Sequence, residues 1–455
     1  MNNLNVLLVT YSFPPIGGVG VLRAASLARY FPSEGIRLDV LTAHNASAVG
    51  FDPSLLSEIP SEVTVHRTIT FDLPFGMKKA IKRLVSGSRP SSTHAAIKPG
   101  FLKRFMGEVL LPDPQVTWLP VLSFAARSIV RKRKIDLVLI TVPPFSIVML
   151  VEKLRKEFPR LPIVVDFRDE WHSTTIDLVG FSRSERAFKV ARHAEASAVI
   201  NATAVVAVTE AARREIRARY PEEPDSKFHL IPNGFDSTKA LGAAASTITR
   251  PGGRGDRIQV AYIGSIYGST DPSSLIQALQ SLPNELKSRF RFCFIGHIEE
   301  PRFREALLQL GEMVELKGYL PQEEALAEMN EADYALLITH DPLNVAAKFY
   351  DYVGAGKPIL ATVHPMGEVR RLLEELRAGW WVDSRNVEGI RQLFIDAAAR
   401  GDSLRVTFQP DLGKIAQYER KVLAQRYAVL LHSIAGKQRD CDSQAAAGQP
   451  AKTGE

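Results

Sequence analysis

Short runs of consecutive apolar residues, many of them β-branched, alternate with amphipathic stretches along almost the whole chain. In the first half the runs are NVLLVT, RLDVLTA, TVHRTI, IDLVLITV, PIVVDF, AVVAVT and FHLIP. Several of the segments between them place apolar residues on one helical face, as Val21, Leu22, Leu27, Ala28 and Phe31 do. Continuous apolar strands separated by helices predict a parallel sheet covered on both faces, and so a doubly wound α/β domain. The alternation pauses over 241–257, LGAAASTITRPGGRGDR, where small residues, glycine and a proline read as a connection. It restarts with IQVAYIG, FRFCFIG, VELKGY, YALLIT, PILAT and WWVD. Two Rossmann-like domains in tandem are therefore predicted, over 1–234 and 258–402, with a linker at 235–257. A helical segment at 403–435 is expected to pack back toward the first domain. The polar tail 436–455 lacks large apolar side chains and is expected to be disordered. Within the second domain, Asp271 is predicted to cap a helix whose first position is Pro272.

Length and composition agree with two cores: 455 residues, 45% of them hydrophobic, exceed what one domain ordinarily organises. The two cysteines, Cys293 and Cys441, build neither a disulfide framework nor a metal spacing, which fits a reducing compartment. The N-terminus lacks a basic region ahead of its short apolar run and reads as a strand, so a cytoplasmic location is expected. The longest apolar stretch, LVLITVPPFSIVMLV, contains a proline pair and is too short to cross a bilayer. The net charge of +7 is unevenly placed: 77–104 carries eight Lys or Arg and no Asp or Glu. That segment is either a solvated surface insertion or a patch holding the protein peripherally on the anionic inner face of the cell membrane. Nucleic acid is not an expected partner, because no helix-turn-helix, RNP or zinc pattern accompanies the charge.

Three stretches carry the candidate chemistry. FPPIGGVG, Phe13 to Gly20, joins the first strand to the first helix, at the sheet edge where phosphate ligands collect. It is no dinucleotide fingerprint, since Gly18 and Gly20 supply G-x-G but Arg23 stands at the third glycine. Nor is GAGKP a P-loop, because Pro358 replaces the required Ser or Thr. A tight turn needing positive φ is the other reading of these glycines. The second stretch, IVVDFRDEWHSTT, ends a strand in Asp166, Arg168, Asp169, Trp171 and His172. Such a group suits a ligand edge, although Arg168 with either aspartate also makes a plain ion pair. Asp166, Asp169 and His172 are metal-ligating types, but their spacing specifies no metal. The third, NVAAKFYDYVGAGKPILAT, reads as a helix bearing Lys348, Phe349, Asp351 and Tyr352. Lys348 and Asp351 share a face, either as a surface pair or as groups for a phosphate and a ribose.

In this order the stretches resemble the GT-B glycosyltransferases, in particular the retaining family 4, over roughly 5–400. YSFPPIGGVG, VVDFRDEW, LIPNGFD and KFYDYVGAGKPILA carry the resemblance. It implies an α/β fold of two Rossmann-like domains facing across a cleft, and transfer of a sugar from a UDP- or GDP-sugar without metal or other cofactor. The acceptor implied is a glycan or lipid-linked glycan of cell-surface polysaccharide synthesis, and retention of configuration is expected. Gly17, Gly18 and Gly20 would let backbone N–H groups approach the donor or the acceptor. Gly264, Ser265 and Gly268 of YIGSIYGSTD would line the pyrophosphate site, and Gly296 would lie near the base. Lys348 would meet the diphosphate, and Asp351 matches the second acidic residue of the family's E-x7-E motif, which binds ribose. Phe349 and Tyr352 are expected beside them. Arg168 and Trp171 would contact the acceptor, while Asp166, Asp169 and His172 would position its hydroxyl. Two departures stand out: Leu343 occupies the place of the first Glu, and Ser265, Ile266 and Tyr267 supply no Arg or Lys. Countercharge for the leaving group then falls to Lys348, Arg168 or Arg23. The departures also leave room for a GT-B epimerase or hydrolase, or for a non-catalytic glycan- or partner-binding module.

Overall fold

The computed structural model describes residues 3–46, 50–70, 110–174, 184–237, 257–320, 322–400 and 408–447. The basic segment 77–104 and all but the ends of the predicted linker lie outside them. Each apolar run becomes a strand: β1 (Leu4–Val9), β2 (Ile36–Ala43), β3 (Thr64–Thr68), β4 (Leu137–Val142), β5 (Ile163–Phe167), β6 (Ala204–Ala207) and β7 (Phe228–Leu230) in the first half. The second half forms β8 (Ile258–Ile263), β9 (Phe290–Ile295), β10 (Val314–Gly318), β11 (Tyr334–Thr339), β12 (Ile359–Val363) and β13 (Gly379–Asp383).

The chain divides into two units, one of Met1–Val208, Arg213–Ile231 and Ala424–Glu455, the other of Thr209–Ala212 and Pro232–Leu423. In the first unit the parallel strands run β3-β2-β1-β4-β5-β6-β7. Leu7, Leu8, Val138, Leu139, Val164 and Val165 are inaccessible to solvent because helices cover both faces, which is why these strands are unbroken apolar runs. The helix Arg420–Ala447 supplies part of this core through Tyr427, Ala428 and Leu431. It runs past the expected end at 435: the helix continues through Gly436 despite the cost of a glycine, and the residues after it are mostly good helix formers.

In the second unit the order β10-β9-β8-β11-β12-β13 repeats the same winding. Strand β11 shows why both faces must be apolar: Tyr334, Leu336 and Ile338 join a core with Leu275, Leu279 and Phe394, while Ala335 and Leu337 join one with Tyr350, Leu372 and Leu373. The Asp271 cap is shifted from its predicted place. Pro272 itself takes the cap position of the helix Ser273–Gln280, and the Asp271 carboxylate accepts from the Ser273 N–H at 2.8 Å. In each sheet the winding reverses beside the first strand, between β1 and β4 and between β8 and β11. Ligands of open α/β sheets bind outside the strand ends at such a reversal.

Candidate functional site

At the reversal in the second unit the chain leaves β8 through Gly264 and leaves β9 through Gly296, with φ of 129° and 138°. The two turns lie back to back: Gly264 N–H donates to Ile295 O at 2.8 Å, and Ile266 N–H to His297 O at 2.8 Å. A Cβ on Gly296 would sit 2.3 Å from the Gly264 carbonyl oxygen, so glycine is required there by both φ and space. Gly296→Ala is expected to destabilise the protein by roughly 2 kcal/mol, read as a lowered urea midpoint at unchanged m-value. An unchanged midpoint would show that the turn is not constrained.

Beside these turns begins the helix Ala347–Gly354, which has no side-chain cap at its N-terminus. Lys348, in its first turn, extends back over Gly264. Its Nζ lies 3.8 Å from the centroid of the Tyr262 ring and would be 3.0 Å from a Cβ on Gly264. The residue as a whole is partly exposed, but the amine is shielded from solvent and has no hydrogen-bond partner. Desolvation pushes its pKa down to about 7. The stack on Tyr262 is a cation–π contact, which offsets only part of the lost hydration. Asp351, one turn further on, is held above the usual carboxylate range by burial, an effect that the charge of Arg420 opposes. At the position of the missing Glu, the Leu343 carbonyl accepts from Thr209 Oγ1 at 2.7 Å, and Asp341 accepts from the Leu343 and Asn344 N–H groups.

The other expected donor residues divide. Ser265 and Gly268 lie in the turn after β8, where the Ser265 carbonyl accepts from the Tyr262 hydroxyl at 3.0 Å. Phe349 and Tyr352 are corrected: both are wholly buried in the core, where an apolar body next to β12 is worth more than contact with a polar ligand. The Tyr352 hydroxyl accepts from the Ile263 N–H at 2.8 Å and so fixes the end of β8. Near Gly296, the ring of His297 stacks on the exposed Tyr319 with centroids 5.7 Å apart.

In the first unit Gly18 has φ of 100° and ends the turn before the helix Val19–Tyr30, while Gly17 N–H donates to Gly50 O at 3.1 Å. The Arg168 guanidinium donates to the carbonyls of Gly20, Val142 and Pro143, tying the glycine turn to the ends of β4 and β5. Burial lowers its pKa, and the Asp169 carboxylate counteracts this. A side chain at Gly20 would lie 3.4 Å from that guanidinium.

Asp166 is corrected from a catalytic candidate to a structural one. It is fully buried and forms a two-pronged pair with Arg23, both contacts at 2.9 Å, while Thr141 Oγ1 donates to it at 2.9 Å. The same Arg23 donates to Ile231 O at 2.8 Å and to the Tyr427 hydroxyl at 2.6 Å. Both charges of this pair are buried and answered by groups of the protein, which speaks against Arg23 as a countercharge and Asp166 as a metal ligand. Trp171 is corrected too: only 1% exposed, it stacks on Phe145 with centroids 4.7 Å apart and cannot meet an acceptor. His172 keeps partial exposure, and its Nε2 lies 3.3 Å from buried Glu195. Burial pulls Glu195 upward, but His172 and Arg219 outweigh it and hold the carboxyl below its usual range. The sequence reading missed Tyr262, Arg420, Glu195 and Arg219. Only Tyr262 had a local signal, two residues ahead of Gly264.

Two doubly wound units in tandem, each with a glycine turn at its reversal, make the GT-B architecture of sugar transferases. Residues 16–239 match the family model described as Glycosyltransferase Family 4, and 247–406 match that of Glycosyl transferases group 1. The chain belongs to the family 4-like GT-B glycosyltransferases. A curated relative, probable glycosyltransferase WbjE of Pseudomonas aeruginosa, is 25% identical over 187 residues, which are 40% of this chain and 44% of that protein's length. The trehalose-6-phosphate phosphatase N-terminal domain of Candida albicans has a similar structure: TM-score 0.65, 13% identity, 94% of this chain and 97% of that one. HepE of Anabaena, solved with UDP and glucose, gives a TM-score of 0.57 at 15% identity over 97% of this chain and all of that one.

Proposed function

We propose that this protein transfers a glycosyl group from a nucleoside diphosphate sugar, of the UDP or GDP type, to a glycan or lipid-linked acceptor, with retention. The observation that carries the reading is the buried, unpartnered ammonium of Lys348 between a glycine turn and an uncapped helix N-terminus. A cation left without a partner in that setting is poised for an anion, and a diphosphate supplies one. In the reaction the bond from the anomeric carbon to the diphosphate oxygen breaks and a bond to the acceptor oxygen forms on the same face. The acceptor proton passes to the departing diphosphate oxygen, so no separate base is needed for balance. Lys348 and the N–H groups of the turn and helix stabilise the charge that builds on the leaving group. Asp351 serves the ribose, Gly296 and the Tyr319 surface serve the base, and His172 with Asp169 and Arg168 serves the acceptor. Burial holds the Asp351 carboxyl above its usual range, and the charge of Arg420 opposes that effect in favour of the ionised form that accepts from hydroxyls. The product belongs to a cell-surface polysaccharide, made at the inner membrane face. That HepE was solved with UDP and glucose supports the donor class.

Calorimetry with UDP and with GDP tests the site. The Lys348 amine has a pKa of about 7 in the free protein, and a bound diphosphate raises it. At pH 8 binding should therefore take up close to one proton, seen as a heat that varies with the ionisation enthalpy of the buffer. Affinity should weaken about tenfold per unit above pH 7, until the raised pKa is reached. Lys348→Met should abolish the uptake. If neither nucleotide binds, the donor reading is wrong, and the protein is better described as a binding module.

A further inference from the structure

We propose that Arg420 is a further donor-binding residue, its guanidinium closing on the ribose diol of the nucleotide opposite the Asp351 carboxylate. This rests on the donor reading above and deepens it. The placement follows from two segments that pair beside the helix Ala347–Gly354. Phe235 N–H donates to Tyr418 O at 3.1 Å and Arg420 N–H donates to Phe235 O at 2.9 Å, which holds Phe235 and Arg420 side by side. The Phe235 ring packs on Gly354, where a Cβ would come within 2.4 Å of it. Asp351 precedes Gly354 by three residues and shares its helix face. The Arg420 charge is thereby near enough to favour ionisation of the Asp351 carboxyl, yet the two form no ion pair.

Arg420 stands in a position that nothing in the protein compensates. It is only 9% exposed, and among the described residues its side chain makes no hydrogen bond or ion pair. It is also the first residue of the helix Arg420–Ala447, where the helix dipole disfavours a cation. The adjoining carboxylate, Glu419, accepts from the Ser237 hydroxyl instead. Among the described residues the Asp351 side chain is likewise without a hydrogen-bond partner, and the residue is partly exposed. Opposite charges that stop short of each other suit a group that both donates and accepts. Hydroxyls do both, giving protons to the carboxylate and taking hydrogen bonds from the guanidinium. A phosphate would satisfy the arginine but be repelled by the aspartate. The spacing along the helix agrees, because Asp351 lies about 4.5 Å beyond Lys348 along the axis. A diphosphate held at the Lys348 amine therefore sets its ribose one step further on, toward Asp351 and Arg420.

Calorimetry of the full chain with UDP and GDP, each beside its 2′,3′-dideoxy counterpart, tests the proposal. Arg420→Met should weaken the nucleotide that binds by roughly 10- to 100-fold, the range of a hydrogen bond to a charged group. Affinity for the dideoxy form should match that of wild type, because the guanidinium then lacks its partner in both proteins. The thermal midpoint of the free variant should not fall, since methionine keeps an apolar stem and drops an unpartnered charge. Arg420→Lys keeps the charge and loses the planar fork, so it should show a smaller loss with the same split, and it carries the test if the methionine variant does not fold. An equal loss with both forms would overturn the proposal and assign the guanidinium to a phosphate. Unchanged affinity for both, with a lowered midpoint, would overturn it too and make Arg420 a structural residue. In either case the donor reading stands. Binding of no nucleotide by the wild type would bring down that reading and this one with it.

Discussion

Lys348→Met is expected to lower kcat by about 10²- to 10³-fold while leaving the protein at least as stable as before. The loss follows from removing a preorganised charge from a dry position beside the leaving group, where its effect on developing charge is largest. The stability half of the prediction separates this residue from ordinary core lysines. Its ammonium is shielded and makes no hydrogen bond, so folding the charged form costs free energy that methionine does not. The pH dependence has a definite sign. The pKa is about 7 in the folded protein against 10.5 for an unperturbed lysine. Between those values the unfolded chain binds the extra proton, so wild-type stability rises with pH through this group. The stabilising effect of Lys348→Met should therefore be greatest below pH 7 and fade toward pH 10. Lys348→Arg should not restore turnover, because the wider guanidinium has no room beside the Gly264 backbone. Nucleoside diphosphate release with donor and acceptor measures the first effect and thermal melts measure the second. Turnover near wild type in Lys348→Met would place the leaving-group charge elsewhere.

Asp166→Ala is expected to destabilise the protein by about 3 to 5 kcal/mol, because it leaves the Arg23 guanidinium buried without its carboxylate. Thr141 loses its acceptor in the same change. Replacing both partners, as Arg23→Met with Asp166→Leu, should recover much of the loss, since neither charge is then stranded. Urea denaturation of the two singles and the double gives the coupling directly. The remaining folded fraction of Asp166→Ala should turn over at close to the wild-type rate. If the variant were as stable as wild type but inactive, Asp166 would be a catalytic group after all.

These two residues show what a sequence can and cannot say. Strands were readable because burial on both faces of a parallel sheet forces unbroken apolar runs, and Ile163 to Phe167 is such a run. That Asp166 ends that run was equally plain. Its partner was not, because Arg23 lies 143 residues away and the pair exists only once β1 and β5 share a sheet. A carboxylate at a strand end looks alike from the sequence whether it meets a ligand or an arginine. Trp171 misled for a related reason: its position named the edge, but only packing against Phe145 decides which way so large a ring turns. Lys348 was found through its family motif, whereas its lack of a partner, the property that gives it work, is visible only in three dimensions. Tyr262 and Arg420, which set the environment of Lys348 and Asp351, come from opposite ends of the second unit.

The Tyr427 hydroxyl on Arg23 joins residues 404 positions apart within the first unit. During synthesis on a ribosome the first seven strands emerge long before this tyrosine is made. The first unit must then wait for the cover of Tyr427, Ala428 and Leu431 until the codons of that helix are read. A gene cut after the seventh strand would specify the sheet and leave its lid untranslated. The order in which this protein is written is therefore not the order in which it can be finished.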